Sequence, residues 1–117
     1  MIGIAYNIFD GTELLRKSIE SVRSSVDYVC VVYQNKSNFG MPSMVNLPEM
    51  LAEFISDGLV DEIVEHVPKV MTGHANEIAK RQTGLDMCRR AGCTHFMSMD
   101  CDELYRHDEF TKAKAII

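Results

Sequence analysis

The chain has 117 residues, of which 46% are hydrophobic and 25% charged, a balance typical of one globular domain and unlike disordered or fibrous proteins. Its formal net charge of −5 argues against a nucleic-acid surface, although a bound divalent cation can still attract an anionic ligand. No run approaches the roughly 20 consecutive apolar residues of a transmembrane helix, and Met1–Ile4 lacks the basic flank of a signal peptide. We therefore expect a cytoplasmic protein with no transmembrane segment and no nucleic-acid partner.

The first part of the chain predicts a strand, a helix and a second strand. The apolar, partly β-branched run Ile2–Phe9 predicts a buried strand that ends at an Asp-Gly turn signal. Thr12 is placed to cap the helix that follows. Apolar residues at helical spacing predict the buried stripe of this helix: Leu15, Ile19, Val22 and Val26. The continuous apolar run Tyr28–Tyr33 predicts a strand covered on both faces, as in parallel sheets.

The rest of the chain continues the alternation of helices and strands. The predicted elements are a long loop over Gln34–Pro48, a helix over Glu49–Ser56, a short strand within Val60–Val67, a loop over Lys69–Gly73, a helix from about His74 to Ala91 stopped by Gly92, a strand over His95–Met99, and a last helix from His107 or Asp108 to Ile117. The order β-α-β-α-β-α-β-α predicts a mainly parallel, open α/β sheet with helices on both faces.

The four cysteines, Cys30, Cys88, Cys93 and Cys101, show no C-x-x-C pairing. We interpret them as free, partly buried thiols in a reducing compartment. A zinc site formed by Cys88, Cys93, Cys101 and His95 is the alternative, but it lacks the usual ligand spacing.

Polar residues follow three of the predicted strands, at Tyr6-Asn7, Gln34-Asn35 and Asp100–Glu103. Ligands of open α/β sheets bind at the carboxyl ends of the strands, so these residues are candidates for a site. In an extended backbone, Asp100 and Asp102 lie on the same side. Their hard oxygen atoms suit Mg²⁺ or Mn²⁺, which keep coordination positions for water and phosphate. The alternative interpretation is a solvated acidic turn after a strand.

Four segments, taken in order, resemble the N-terminal half of family 2-type glycosyltransferases with the GT-A fold. They are Ile4–Asn7 in the first strand, Leu14–Val22 in the first helix, Arg81–Leu85 in the long helix, and Phe96–Glu103, which contains an aspartate-any-aspartate (DxD) motif. The resemblance implies a Rossmann-like nucleotide-sugar-binding half of a GT-A fold, with Mn²⁺ or Mg²⁺ as cofactor.

By that resemblance, Asp102 contacts the metal directly, and Asp100 assists or binds the sugar and ribose. Arg81 approaches the diphosphate or the sugar, and the backbone of Tyr6 and Asn7 lines the nucleotide pocket. A solvated helix position for Arg81 and a core position for the Tyr6 ring are the alternatives.

Two positions depart from the family pattern. The family commonly has an Asp pair after the second strand, where this chain has Tyr33 and Gln34 followed by Asn35. The amide of Gln34 or Asn35 can still bind a base, but a preference for uracil is not implied. The family's acceptor-binding half and catalytic base follow the DxD motif, and 15 residues follow Asp102 here. The nearby groups that could serve as a base are Glu103, His107, Asp108 and Glu109.

We therefore expect residues 1–117 to form one nucleotide-sugar-binding domain, truncated relative to a complete glycosyltransferase. Its predicted activity is sugar transfer from a nucleoside diphosphate sugar to an unknown saccharide, lipid or protein acceptor. The alternative is a non-catalytic nucleotide-binding domain that needs a partner. A nucleotidyltransferase is disfavoured because Asn7–Gly11 is not a glycine-rich, basic loop. The apolar end Ala115–Ile117 predicts association with a missing segment or with another copy, forming a homo-oligomer.

Overall fold

Four strands and four helices alternate through the parts of the chain that the structure, a computed structural model, describes: residues 1–9, 12–34, 46–67, 73–100 and 107–116. In chain order the elements are β1 (Ile2–Ile8), α1 (Leu15–Val22), β2 (Tyr28–Tyr33), α2 (Leu47–Ser56), β3 (Glu62–Glu65), α3 (Gly73–Arg90), β4 (His95–Met99) and α4 (His107–Ile116). The predicted order of elements is confirmed, and the differences from expectation lie at the ends of elements.

The four strands form an open sheet in the order β3-β2-β1-β4, and every neighbouring pair is parallel. β1 lies inside the sheet, where Ala5 is opposite Cys30 of β2 and Ser98 of β4. All residues of β1 and β2 are buried, which explains their nearly unbroken apolar runs, because a strand covered on both faces has no solvent side. With helices on both faces, this is the Rossmann-like α/β class expected from the sequence.

Side chains alternate between the two faces of the sheet, and each face has its own core. One face buries Ile4 and Tyr6 together with α1 and α2. The predicted stripe of α1 is buried, but its last member, Val26, lies beyond the helix, which ends at Val22. The other face packs against α3 through Ala5, Val32 and Met87. α3 covers the opposite face because the chain turns back from β3 across the sheet to β4, and right-handed crossovers in opposite directions put their helices on opposite faces.

The helix α3 approaches β1 closely at Gly84. A β-carbon placed on Gly84 would lie 2.6 Å from the Cβ of Ala5, which is far inside van der Waals contact. Glycine is therefore required here to let helix and sheet approach, and the backbone of Gly84 fixes the height of α3 above the sheet.

Two helix starts differ from the sequence prediction. Thr12 does not cap α1. It begins a 3₁₀ turn that ends at Leu14, and Leu14 occupies the N-cap position without a side-chain hydrogen bond. The predicted loop before α2 is too long, because the side chain of Asn46 accepts a hydrogen bond from the backbone N–H of Glu49 at 3.3 Å and starts the helix at Leu47. Residues 35–45 of that loop, and 68–72 of the next, lie outside the described residues.

The C-terminus of α3 is closed by the glycine that the sequence predicts. Gly92 has a φ angle of 92°, a conformation that favours glycine. Its N–H donates to the Arg89 carbonyl at 3.0 Å, and the Cys93 N–H donates to the Cys88 carbonyl at 3.0 Å. These two bonds define a Schellman motif, which terminates the helix and turns the chain toward β4.

Candidate site at the carboxyl ends of β1 and β4

The carboxyl ends of β1 and β4 meet where the strand order reverses. From β1 the chain builds β2 and β3 on one side, and then returns to place β4 on the other side of β1. Open α/β sheets commonly bind ligands outside the carboxyl ends of the strands beside such a reversal. We call this edge, at the carboxyl ends of β1 and β4, the crevice. Asn7 lies one residue before the end of β1, and Asp100 directly follows β4. The structure therefore brings two of the sequence-predicted site residues to this edge.

Three polar side chains connect β1, β4 and α3 at the crevice. The Nδ2 of Asn7 donates a hydrogen bond to the Oγ of Ser98 at 2.9 Å. The Nη1 of Arg81 donates to the same oxygen at 3.0 Å. Arg81 is exposed, and a guanidinium has five N–H donors, so the bond to Ser98 leaves most of its donors available to a ligand.

Asn7 carries a buried acceptor with no protein partner. Its side chain is 8% exposed, and its Oδ1 is buried without a hydrogen-bond partner among the described residues. Leaving a buried acceptor unpaired costs about 1–3 kcal/mol. A ligand or a bound water that donates a hydrogen to Asn7 would recover that energy, so the atom marks a hydrogen-bonding position at this edge.

The face of α3 that covers the sheet becomes polar toward the crevice. Its buried positions include Met87 and Cys88 near the C-terminus, Gly84 in the middle, and Lys80 and Asn76 toward the N-terminus. α3 runs opposite to the strands, since it connects the carboxyl end of β3 to the start of β4. Its N-terminal half therefore lies over the carboxyl edge of the sheet.

Lys80 places a buried positive charge beside the same edge. It lies one turn, about 6 Å, before Gly84, and Asn7 lies two residues, about 7 Å, beyond Ala5. Because Gly84 lies against Ala5, Lys80 is at the level of Asn7. The Lys80 side chain is 6% exposed, and its Nζ is 2.6 Å from the carboxylate of Glu77, which is 44% exposed.

The acidic pair is described in part. Asp100 is exposed at the end of β4, and Asp102 lies outside the described residues. Within the described ranges, no three His, Cys, Asp or Glu side chains are grouped to hold a metal ion. Mg²⁺ is often held by one or two carboxylates, with water and substrate phosphate completing its shell. The carboxylates of Asp100 and Asp102 fit that donor set, and the unpartnered Oδ1 of Asn7 lies at the same edge as Asp100.

Two other predicted residues lie close to this edge but are buried. The ring of Tyr6 is in the core on the opposite face, where its hydroxyl shares a 2.7 Å hydrogen bond with the Oγ of Ser18. The prediction for Tyr6 concerned its backbone, and it stays a prediction. Gln34 directly follows β2, is 2% exposed, and donates its backbone N–H to the Ile8 carbonyl at 2.9 Å. Asn35 lies outside the described residues.

Three of the four candidate catalytic bases lie where the structure describes no side chain. Glu103 lies outside the described residues, and His107 and Asp108 begin α4 with side chains that are not described. Glu109 is exposed on α4. The assignment of a base stays open.

Sequence reasoning did not select Ser98, Lys80, Asn76 or His66 as site residues. Ser98 gave a signal as the single hydroxyl in an apolar strand, two positions before Asp100. His66 directly follows β3, and its Nε2 is 3.2 Å from the Oδ1 of buried Asn76. Lys80 and Asn76 precede Gly84 by four and eight residues. This helical spacing was the sequence signal that they lie on the same face of α3 as Gly84.

In comparisons with known proteins, no family model matches the chain and no curated protein is detectably similar to it. Across the described ranges, none of the helices has the length and apolar character needed to cross a membrane.

Proposed function

We propose that this chain is the donor-binding half of a glycosyltransferase, which binds a nucleoside diphosphate sugar at the carboxyl ends of β1 and β4. The observation that carries the proposal is the Asn7–Ser98–Arg81 connection across the strand-order reversal, with Asp100 two residues beyond Ser98. This arrangement offers an unpaired acceptor, an exposed guanidinium and a carboxylate at one edge. The ordered likeness of four sequence segments to family 2-type glycosyltransferases supports the same reading.

The positive groups of α3 have the chemistry that a diphosphate needs. A guanidinium presents parallel N–H donors that match phosphate oxygens, and its hydrogen bonds to an anion are stronger than neutral ones. Arg81 is oriented by Ser98, so part of the entropy of ordering its long side chain is already lost before the ligand binds. Buried Lys80, at the level of Asn7, is paired with Glu77 at 2.6 Å, so Arg81 is the cation of the two that is available to a phosphate.

Asp102, with Asp100, would hold a Mn²⁺ or Mg²⁺ ion, whose chemistry there is to neutralise the diphosphate as it leaves the sugar. Asn7 would accept a hydrogen bond from a hydroxyl of the donor through its buried Oδ1. Arg81 would stabilise the negative charge that develops on the diphosphate, and such stabilisation of a leaving group is commonly the largest part of catalysis. The sugar, the base and the acceptor are not specified by these residues.

Calorimetric titration of a nucleoside diphosphate in the presence of Mn²⁺ tests the proposal. Arg81→Ala should weaken binding roughly 10- to 100-fold, since hydrogen bonds to charged groups contribute about 1.5–3 kcal/mol. Arg89→Ala is the matched control, because Arg89 is exposed in the last turn of the same helix, at the opposite edge of the sheet. Equal affinities of both variants would remove the support for a diphosphate site at this edge.

An assay for slow hydrolysis of sugar nucleotides separates an enzyme from a domain that only binds. Hydrolysis that needs Mn²⁺ and is lost in Asp102→Ala supports the transferase chemistry. Binding without hydrolysis supports the alternative, a nucleotide-binding domain that needs a further segment or partner to act.

A further inference from the structure

Three cysteines converge on the face of the sheet that α3 covers, at the end away from the crevice. Cys30 is in β2, Cys88 is in the last turn of α3, and Cys93 follows the glycine that ends this helix. All three are free thiols. Cys30 and Cys88 are buried, while Cys93 is partly exposed, so the group has one member that solvent reaches.

Gly3 of β1 provides the space in which two of the sulfurs approach each other. A β-carbon on Gly3 would lie 2.7 Å from the Sγ of Cys93 and 2.8 Å from the Sγ of Cys88. The separation of the two sulfurs therefore cannot exceed the sum of these distances. The Cys88 side chain is hydrogen-bonded to those of both Cys30 and Cys93, so each sulfur of the pair is within direct reach of the other.

The backbone holds this pair together. In a Schellman motif, the residue two positions after the C-cap of the helix contacts the residue three positions before the C-cap. Here these residues are Cys93 and Cys88, joined by the backbone hydrogen bond of 3.0 Å. Two alkyl side chains would satisfy the packing of the motif equally well, but two thiols in this place also have redox chemistry.

We propose that Cys88 and Cys93 are an oxidisable dithiol, which a peroxide converts to a disulfide across the C-terminus of α3. The thiolate of Cys93 attacks the peroxide, its sulfur gains one oxygen as a sulfenic acid, the O–O bond breaks, and the displaced hydroxide takes a proton to leave as one water. The Cys88 thiolate then attacks that sulfur, the S–S bond forms, the S–O bond breaks, and the hydroxide takes a proton to leave as a second water. The two thiols lose two electrons and two protons, and the peroxide is reduced to two waters.

The hydrogen bonds within the cluster suit the resolving role of Cys88, and the partial exposure of Cys93 suits attack on a peroxide. Hydrogen bonds from Cys30 and Cys93 lower the pKa of Cys88, against the opposing effect of burial. The same contact and burial raise the pKa of Cys30, which stays a thiol donor. Burial is the main cause of the raised pKa of Cys93, so its reaction with peroxide should accelerate with increasing pH, because the thiolate is the nucleophile.

Peptide mapping after oxidation tests the proposal on the whole chain. The protein is treated with hydrogen peroxide, remaining thiols are alkylated, and the chain is cut with trypsin and Asp-N. Each cysteine of the cluster is then on a different peptide: Asp27–Lys36, Asp86–Arg89 and Ala91–Met99. We expect loss of two of the four thiols and a disulfide-linked pair of the second and third peptides. The absence of that pair, or a dominant link to Cys30 or Cys101, overturns the proposal.

Single variants assign the order of events. In Cys88→Ser, the sulfenic acid on Cys93 has no resolving thiol and should be trapped by dimedone on Ala91–Met99, whereas peroxide-treated native protein shows little adduct. Cys30→Ala should keep the Cys88–Cys93 link. Circular dichroism confirms that each variant is folded, and Cys93→Ser, at the partly exposed position, provides a second test in which the link must disappear. Dimedone labelling of Cys93 that is equal with and without Cys88 contradicts the resolving role.

Discussion

Replacing Gly84 by alanine tests the close approach of α3 to β1. The new methyl carbon would lie 2.6 Å from the Cβ of Ala5, whereas carbon atoms in contact are about 3.5–4.0 Å apart. Ala5 is in a strand paired on both sides, so α3 has to move outward by about 1 Å. Such overpacking costs about 1–3 kcal/mol, and alanine offsets about 1 kcal/mol of this through its higher helix propensity.

We therefore expect Gly84→Ala to destabilise the protein by about 1 kcal/mol net, which lowers Tm by roughly 4–8 °C for a domain near 100 residues. Ala5→Gly/Gly84→Ala moves the methyl group from strand to helix and should recover most of the overpacking cost. Urea unfolding of native, single and double variants measures the coupling between the two positions. Stabilisation by Gly84→Ala alone, as at an unopposed helix position, would refute the close approach.

The same substitution affects the site. Arg81 lies one turn before Gly84, and its 3.0 Å bond to Ser98 has the usual length of an N–H···O hydrogen bond, which extends to about 3.2 Å. An outward shift of α3 by about 1 Å breaks it, so Gly84→Ala should also weaken nucleotide binding. Unchanged affinity would show that Arg81 does not depend on the height of the helix.

Two further predictions concern buried hydroxyl groups. Tyr6→Phe removes the 2.7 Å hydrogen bond with Ser18 and should cost about 1–2 kcal/mol in urea unfolding, with a smaller loss expected when Ser18→Ala is already present. Burial, and then the 2.6 Å hydrogen bond to Glu62, raise the pKa of Tyr28. The folded state keeps a proton that the unfolded chain releases, so this stability is complete below about pH 10 and is lost as the pH rises further. Tyr28→Phe should flatten the alkaline decline measured by urea midpoints, and an equal decline in both proteins would contradict the assignment.

The fold was largely predictable because its signals are local. The continuous apolar run Tyr28–Tyr33 predicts β2 at its observed bounds. Gly92 predicts the end of α3. The start of α1 was not predictable from Thr12, because a 3₁₀ turn intervenes before the helix. The buried positions in the N-terminal half of α3 are Asn76 and Lys80, which are polar, so this half gives no apolar periodicity. The sequence predicts α3 through its length and through the glycine that ends it.

The position of the site in the fold was predictable from the sequence, but the hydrogen bonds between its residues were not. The rule that ligands bind at the carboxyl ends of strands selected Asn7 and Asp100 without knowledge of the strand order. Ser98 becomes the shared acceptor of Asn7 and Arg81 only because β4 pairs with β1, and that pairing joins residues 91 positions apart. Lys80 was missed because a lysine on a long helix is ordinarily solvated, and only its spacing from Gly84 shows that it faces the sheet.

The most direct test of the central claim is calorimetric titration of a nucleoside diphosphate with and without Mn²⁺, on the native protein and on Asp102→Ala. We expect binding that depends on Mn²⁺, is strongly weakened by Asp102→Ala, and is weakened by Arg81→Ala but not by Arg89→Ala. No binding to the native protein at millimolar nucleotide with Mn²⁺ present would contradict a donor site at the carboxyl ends of β1 and β4.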